Sequence, residues 1–317
     1  MNPTPTVIAT VDIGTNSTRL LVCSVDSSAS ERPVLADLER HSIVTRLGDG
    51  VDSSGRLAPE ATQRVLDVLD GYMKIIQLYP VAAMGGVLTS AGRDAADGLE
   101  FSERITAETG IPVRLIGGDE EAQLSFAGAT SEVPRDGRRL LVCDVGGGST
   151  ELITGQVGEL DFHVSLPAGV VRQSERHLKS DPPTTEELEA AAIEVRELLQ
   201  AQVPDSVRGS VDACIAVAGT ATTLSAIDQS LEPYDPARVH GSTVTLERSR
   251  ELLGRIASLP LAERVNVDGL HPDRAPTAVA GAVILCEVLE AFGLNRFEAS
   301  EHDILRGVAL MLAASSD

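Results

Sequence analysis

Aromatic residues are scarce in this 317-residue chain, at 3% of positions, and positive charge is outnumbered. Its 26 lysines and arginines stand against 47 acidic residues, a net charge of −21. A chain this acidic repels polyanions at long range, and with so few aromatics it offers no platform on which unpaired bases could stack. This argues against binding to nucleic acid polymers, and it requires any phosphate site to work through local donors and a metal ion. The four cysteines, Cys23, Cys143, Cys214 and Cys286, have no metal-ligand spacing and lie within apolar stretches, as buried thiols of a reducing cytosol do. No apolar run approaches a membrane span, and the first residues show no basic segment leading into an apolar signal core. A soluble, cytoplasmic protein with no membrane partner is expected. Missing too are the GxGxxG dinucleotide fingerprint in its strand-turn-helix setting, the GxxxxGK[ST] phosphate loop and the GxSxG nucleophile elbow. The six histidines show no zinc spacing, and His302, between Glu301 and Asp303, is expected at the solvent-exposed surface.

What the chain does have is a nine-residue segment that occurs twice. DIGTNSTRL at Asp12–Leu20 returns as DVGGGSTEL at Asp144–Leu152, with the Asp, the first Gly, Ser-Thr and the final Leu matched. Each copy follows one apolar run (Val7–Val11; Leu140–Cys143) and precedes another (Leu20–Val25; Leu152–Thr154). Strand, small-residue turn and strand make a hairpin whose glycines let successive amides point into one concavity, with Ser and Thr adding hydroxyl donors. The Asp at the strand end is placed to hold a divalent cation or a water facing a phosphate. A single Gly146-Gly147-Gly148 turn reads equally well as a flexible connection; two turns in matched register argue for related half-molecules that clamp one phosphorylated ligand.

At this length two domains of ordinary size are expected, with Pro134–Gly137 as the turn that divides them. Strands cover residues 7–47, broken by polar turns such as Asp26–Glu31. A helix over about 59–79 carries an apolar stripe of Val65, Leu69, Met73 and Ile76. A strand follows at Val81–Leu88, then the turn Thr89–Arg93, a helix to Thr109, a strand at Pro112–Ile116 and a helix from Gly117 to about Ala127. Strands resume over 139–166. Thr184 and Glu187 form a capping box. Val211–Ala218 is a strand feeding Gly219-Thr220. A nearly all-apolar, hence covered, helix spans about 276–292, Phe297–Ser300 is a short strand, and Ile304–Ala314 a closing helix. Alternation of this kind predicts an α/β fold with mixed sheets.

Several further residues carry candidate chemistry. Asp119-Glu120-Glu121 sits in the cap and first turn of a helix, where carboxylates offset the helix dipole; one of these acids is equally placed to take a proton from water, and spacing does not separate Glu120 from Glu121. Arg93 suits either a surface ion pair or a phosphate, which its planar fork fits. Glu151 lies on the outgoing strand of the second hairpin, close enough to Asp144 for the two acids to share a cation. Arg172, Arg176, His177 and Lys179 form a modest basic stretch, readable as a polyanion contact or as a solvated helix face.

Assembled in order, DIGTNSTRL, TSAGRDA at Thr89–Ala95, GGDEEAQLSFAGA at Gly117–Ala129, DVGGGSTEL, AGTATTL at Ala218–Leu224 and HPDRAPTAVAGAVIL at His271–Leu285 closely resemble the exopolyphosphatase/guanosine pentaphosphate phosphohydrolase (Ppx/GppA) family over nearly the whole chain. The resemblance implies two actin-like, ribonuclease H-like domains of the sugar kinase, chaperone and actin superfamily, with an interdomain active-site cleft. Residues 1–133 with 301–317 would form the first domain and 134–300 the second. It implies Mg²⁺-dependent release of terminal orthophosphate from inorganic polyphosphate, or of the 5′-terminal phosphate of guanosine pentaphosphate, with a monovalent cation such as K⁺ as a further candidate. By position Glu121 matches the general base, and Asp144 and Glu151 the metal-associated acids. Arg93 and the turns Gly14, Thr15, Asn16, Ser17 and Gly146, Gly147, Gly148, Ser149 match the phosphate contacts. Gln123 departs from the family, many of whose members carry Arg there. The chain ends soon after the second domain, where longer members continue into a helical region. That ending, with the negative charge, favours short polyphosphates. A homodimer is expected from the family. Two readings from other classes stay open: an ATP-dependent small-molecule kinase of the same superfamily, and a non-catalytic sensor of guanosine tetra- or pentaphosphate.

Overall fold

Strands β1 (Thr6–Ile13) and β2 (Ser17–Asp26) are apolar on both faces, and both faces are buried. Strand β3 (Val34–Val44) carries charge and stays largely exposed, as an edge strand does. The computed structural model describes residues 5–26 and 32–315; of the expected Asp26–Glu31 turn, residues 27–31 lie outside the described residues. The chain divides into two compact units: residues up to Glu132 with those from Asp303 onward, and Val133–His302.

In the first unit β1, β2 and β3 form an antiparallel meander, and β4 (Val81–Leu88) and β5 (Val113–Leu115) join in parallel, giving the order β3-β2-β1-β4-β5. The Pro59–Ile76 helix covers one face through Val65, Leu69, Tyr72 and Ile76. The other face is covered by the Ile304–Ala314 helix, whose Leu305 and Ala309 pack on Ile8, Leu21 and Cys23. That helix returns to the unit beside the Gly118–Ala129 helix, and glycine makes the approach possible: a Cβ on Gly307 would lie 1.9 Å from the Leu124 carbonyl oxygen. The expected helix ending at Thr109 is split into Ser90–Asp94 and Gly98–Thr109.

The second unit repeats the plan. Strands β6 (Leu140–Val145), β7 (Thr150–Gln156) and β8 (Glu159–Leu166) form the meander. β9 (Ala213–Val217) and then β11 (Arg296–Ala299) continue the sheet in parallel, and β10 (Thr243–Thr245) closes the edge, in the order β10-β11-β9-β6-β7-β8. The duplicated segment is therefore the visible trace of a duplicated sheet, β3-β2-β1-β4-β5 matching β8-β7-β6-β9-β11. Both sheets are mixed and the fold is α/β, as the alternation of elements predicts. The apolar helix occupies Ala278–Ala291 and is buried along almost its whole length. The capping box forms as expected: the Glu187 amide donates to Thr184 Oγ1 at 3.2 Å and the Thr184 amide to Glu187 Oε2 at 3.0 Å.

One surface expectation is corrected. His302 is 6% exposed and not solvent-facing. Its amide donates to Ser300 Oγ at 2.9 Å, which turns the chain inward and stacks its ring on His240 with centroids 3.8 Å apart. In the basic stretch Arg176 and His177 both reach Glu194 on the Thr185–Gln202 helix, as a helix face tied down within the protein does, and the Lys179 amide donates to Glu187 at 3.2 Å. Among the described residues no helix is long and apolar enough to cross a membrane.

Candidate active site

The second hairpin places Asp144 directly opposite Glu151 in the β6–β7 pairing, and Glu151 directly opposite Ser165 in the β7–β8 pairing. Side chains directly opposite share a face with Cβ atoms about 4.5–5.5 Å apart, so the three make one transverse row. Glu151 Oε1 accepts from Ser149 Oγ at 2.6 Å and from Ser165 Oγ at 2.8 Å. The row is electronegative. Burial pushes the Cys143 thiol well above its ordinary range, and Cys214, Asp144 and Glu151 push it further. Two carboxylates in register form an all-oxygen donor set that fits a hard divalent cation such as Mg²⁺.

The turn between β6 and β7 is closed by the Gly146 amide, which donates to the Ser149 carbonyl at 2.9 Å. Its outward carbonyls are tied down, Gly146 by the Val170 amide and Gly147 by the Val171 amide, each at 2.9 Å. The first hairpin is built alike: the Gly14 amide donates to the Ser17 carbonyl at 3.0 Å, and the Thr15 and Asn16 carbonyls accept from the amides of Gly48 and Thr45 at 2.9 and 3.0 Å. Gly14 and Gly146 thus spend their amides on shaping the turns. Two hydroxyls expected to face a ligand are engaged within the protein, Thr15 with Ser90 at 2.6 Å and Ser149 with Glu151.

The two copies differ where Glu151 is replaced. Arg19 occupies that register position in the first hairpin, opposite Asp12, with Ser42 on its other side. Its Nε donates to Asp12 Oδ2 at 2.8 Å and its Nη1 to Asp303 Oδ2 at 2.7 Å. Asp12 is therefore a buried partner of an arginine, and a divalent cation there would face a guanidinium. Burial pushes Asp12 above its ordinary range against the pull of Arg19, and Asp303 adds to the rise. Asp303 is also penalised by burial. Arg19, Arg40 and the Leu305 amide outweigh that penalty and hold it below its ordinary value.

Glu121 lies in the first turn of the Gly118–Ala129 helix, whose cap is Gly117 and not Asp119. The structure separates the neighbouring acids that spacing leaves equivalent. Glu120 faces outward and takes Arg114 at 2.7 Å, whereas Glu121 is turned inward, its side chain 13% exposed, against the guanidinium of Arg93. Arg93, from the Ser90–Asp94 helix, also donates to the Ile116 carbonyl at 3.3 Å. Burial raises the Glu121 carboxyl above its ordinary range; Arg93 opposes the rise, Asp12 adds to it and Arg19 subtracts. Glu121, Arg93, Asp12 and Arg19 are thus close enough to feel one another, all within the first unit. Asp144, Glu151 and Ser149 are gathered in the second. Gln123 is exposed.

Several residues beside these sets carry no signal in composition or spacing. Arg19, Asp303 and Ser165 act through register and return topology. Arg274 lies against Gly219, where an added Cβ would be 2.5 Å from its Cζ, and Thr220 Oγ1 donates to the Val145 carbonyl at 3.3 Å, at the end of β6. Arg19, Arg274, Gly219 and Thr220 lie within the quoted motifs, and Gly219-Thr220 also follows a strand as a small-residue turn; Asp303 and Ser165 lie outside the motifs.

The sequence matches the Ppx/GppA phosphatase family over residues 21–315. Exopolyphosphatase 2 of Mycobacterium tuberculosis (strain ATCC 25618 / H37Rv) is 37% identical over 318 aligned positions, covering 97% of this chain and 99% of that protein. Among solved structures, a Ppx/GppA family member from Aquifex aeolicus is similar with a TM-score of 0.83 at 29% identity, covering 99% of both chains. An exopolyphosphatase from Cytophaga hutchinsonii has a TM-score of 0.85 at 25% identity, with 97% of this chain and 98% of that one covered.

Proposed function

The chain belongs to the Ppx/GppA phosphatase family and is a phosphoanhydride hydrolase, and we propose that it is an exopolyphosphatase, releasing orthophosphate from the end of inorganic polyphosphate. The observation that carries the reading is the pairing of Glu121 with Arg93. Phosphoryl transfer to water needs a carboxylate to align and deprotonate the water and a guanidinium to take the charge of the transferred group. Here both are part-buried and touch. A terminal phosphate competes with Glu121 for the Arg93 fork. As Arg93 turns to the phosphate, Glu121 loses the cation that lowers its basicity and becomes the stronger base when substrate is bound. Asp12 and Arg19 hold the charge balance behind it.

Amides at 15–17 and 147–149 are the donors for the phosphate oxygens, a role that turns of this kind fill with backbone alone. Asp144 and Glu151 would hold Mg²⁺, which when bound neutralises phosphate charge and orients the phosphoryl group. The net charge of −21 disfavours a long polyanion lying along the surface and supports a preference for short chains. Four buried free cysteines fit a reducing, cytoplasmic setting. The reading is tested by orthophosphate release from short and several-hundred-unit polyphosphate and from guanosine pentaphosphate, each with and without Mg²⁺. The expected order is short polyphosphate first, with activity lost in Glu121→Gln. Undiminished release by Glu121→Gln would remove the carboxylate from its role.

A further inference from the structure

We propose that Thr150 and Gly169 are positioning residues for the phosphate-binding turn. Thr150 latches the segment that follows β8 against the back of the turn, Gly169 leaves room for it, and together they aim the amides of Gly147 and Gly148 at the phosphate. The proposal rests on the reading of that turn as a phosphate cradle. The Gly146 and Gly147 carbonyls accept from the amides of Val170 and Val171, each at 2.9 Å. In a planar trans peptide the N–H points opposite to the C=O of the same unit. The Gly147 N–H shares its plane with the Gly146 carbonyl, and the Gly148 N–H with the Gly147 carbonyl. Both N–H groups are therefore directed away from the Val170–His177 helix, toward one side.

Two features hold the start of that helix in place. Thr150 follows Ser149 and is fully buried, and its Oγ1 donates to the Ala168 carbonyl at 2.5 Å. Thr150 pairs with Leu166 in the β7–β8 register, so its hydroxyl grips the chain two residues beyond its strand partner. Gly169 packs directly on the turn, where an added Cβ would lie 2.3 Å from the Gly147 carbonyl oxygen and 2.4 Å from the carbonyl carbons of Gly147 and Gly148. Its φ of −104° and ψ of 166° suit any residue, so close approach alone calls for glycine. The first hairpin has the same device. Thr18, also fully buried, pairs with Ile43, and its hydroxyl meets that of Thr45, again two residues on, at 3.0 Å. The amides of Thr45 and Arg46 then donate to the Asn16 carbonyl at 3.0 and 2.9 Å. The threonine shared by both copies of the duplicated segment thus turns inward and holds the exit of the third strand behind the turn.

The test follows binding of inorganic orthophosphate at the Gly147 and Gly148 amide resonances of the ¹⁵N-glycine-labelled full chain. Both resonances are expected to shift in the parent. Thr150→Val, which keeps the shape and loses the hydroxyl, and Gly169→Ala are each expected to bind about tenfold more weakly, inside the roughly 100-fold that misplacing a positioning group by about 1 Å can cost. Thr150→Ser keeps the hydroxyl and should bind as the parent does. Gly155→Ala is the control for strain: its Cβ would lie 2.2 Å from the Glu159 carbonyl oxygen, at the far end of β7. It should lower the urea midpoint and leave orthophosphate affinity unchanged where the chain is folded. Parental affinity in either Thr150→Val or Gly169→Ala, a Ser variant as weak as the Val one, or an equal loss in Gly155→Ala overturns the proposal. If orthophosphate leaves both resonances unmoved in the parent, the phosphate reading of the turn fails. If they move in the parent and at the same concentration in the two variants, only the roles of Thr150 and Gly169 fail.

Discussion

Arg19 stands directly opposite Asp12 across the first hairpin, and its Nε donates to Asp12 Oδ2 at 2.8 Å. Glu151 holds the equivalent place opposite Asp144 in the second. One copy of the duplicated hairpin therefore pairs its aspartate with an arginine, and the other sets two carboxylates side by side, the pair proposed above to hold Mg²⁺. The expected divalent-ion stoichiometry is one per chain. Titration with Mn²⁺ checks it, with Glu151→Gln removing the ion and Asp12→Asn keeping it. Two ions per chain would show that the Arg19 pairing gives way.

In the proposed mechanism the charge state of Glu121 sets the acidic limb of the activity profile. Its carboxyl is raised by burial and held down by Arg93. A base works only when ionised, so kcat/KM falls as pH drops through that raised value, above the limb an ordinary glutamate near 4.3 would give. Removing the cation in Arg93→Gln should shift the limb to higher pH as well as lower the rate. Glu121→Gln should lose about 10²–10⁴-fold in rate with unchanged circular dichroism. A limb that moves down in Arg93→Gln would mean that the titrating group is another one.

Much of this was legible in the sequence because strand-turn-strand repeats leave a trace in residue type: the Asp, Gly and Ser-Thr of both turns, the apolar runs beside them and the Thr184–Glu187 cap all describe local structure. Arg19 was invisible as a partner of Asp12 because pairing depends on register, and register follows from the closed turn at Gly14–Ser17. Asp303 was read only as a neighbour of His302, since its contact with Arg19 spans 284 positions and exists only once the last helix returns to the first unit. Ser165 reaches Glu151 only through the pairing of β7 with β8.

Asp303 is where this return becomes a stability statement. It accepts from Arg19 at 2.7 Å and Arg40 at 3.4 Å and caps the last helix through the Leu305 amide at 3.0 Å. Asp303→Asn keeps a capping oxygen and removes the buried charge that the part-buried Arg19 and Arg40 share, at a cost of about 3 kcal/mol in urea unfolding. The sign of the pH effect follows from the depressed folded value. The contribution is present in full above the unfolded aspartate pKa of about 3.9 and is lost as pH falls below it toward the folded value. The Asn variant should therefore lose less stability than the parent on acidification through that window. Equal acid sensitivity in both would assign the low-pH loss to other carboxylates.

The closing helix depends on an absence. Gly307 and Gly128 let the Ile304–Ala314 and Gly118–Ala129 helices touch backbone to backbone, with a Cβ on Gly307 placed 1.9 Å from the Leu124 carbonyl oxygen and one on Gly128 placed 1.9 Å from that of Asp303. Neither obstacle is a flexible side-chain end, so Gly307→Ala must push the helices apart. Overpacking of this kind costs about 1–3 kcal/mol. Because the displaced helix carries Glu121 in its first turn and Asp303 adjoins the other, the variant should lose activity beyond its loss of stability, seen as a lower kcat at temperatures where it is fully folded. Gly118→Ala is the control, since nothing lies within 4 Å of its added Cβ, and it should match the parent in urea unfolding to about 0.5 kcal/mol. A Gly307→Ala protein as stable and active as the parent would mean that the two helices slide without disturbing the carboxylate, and that Glu121 is held by Arg93 alone.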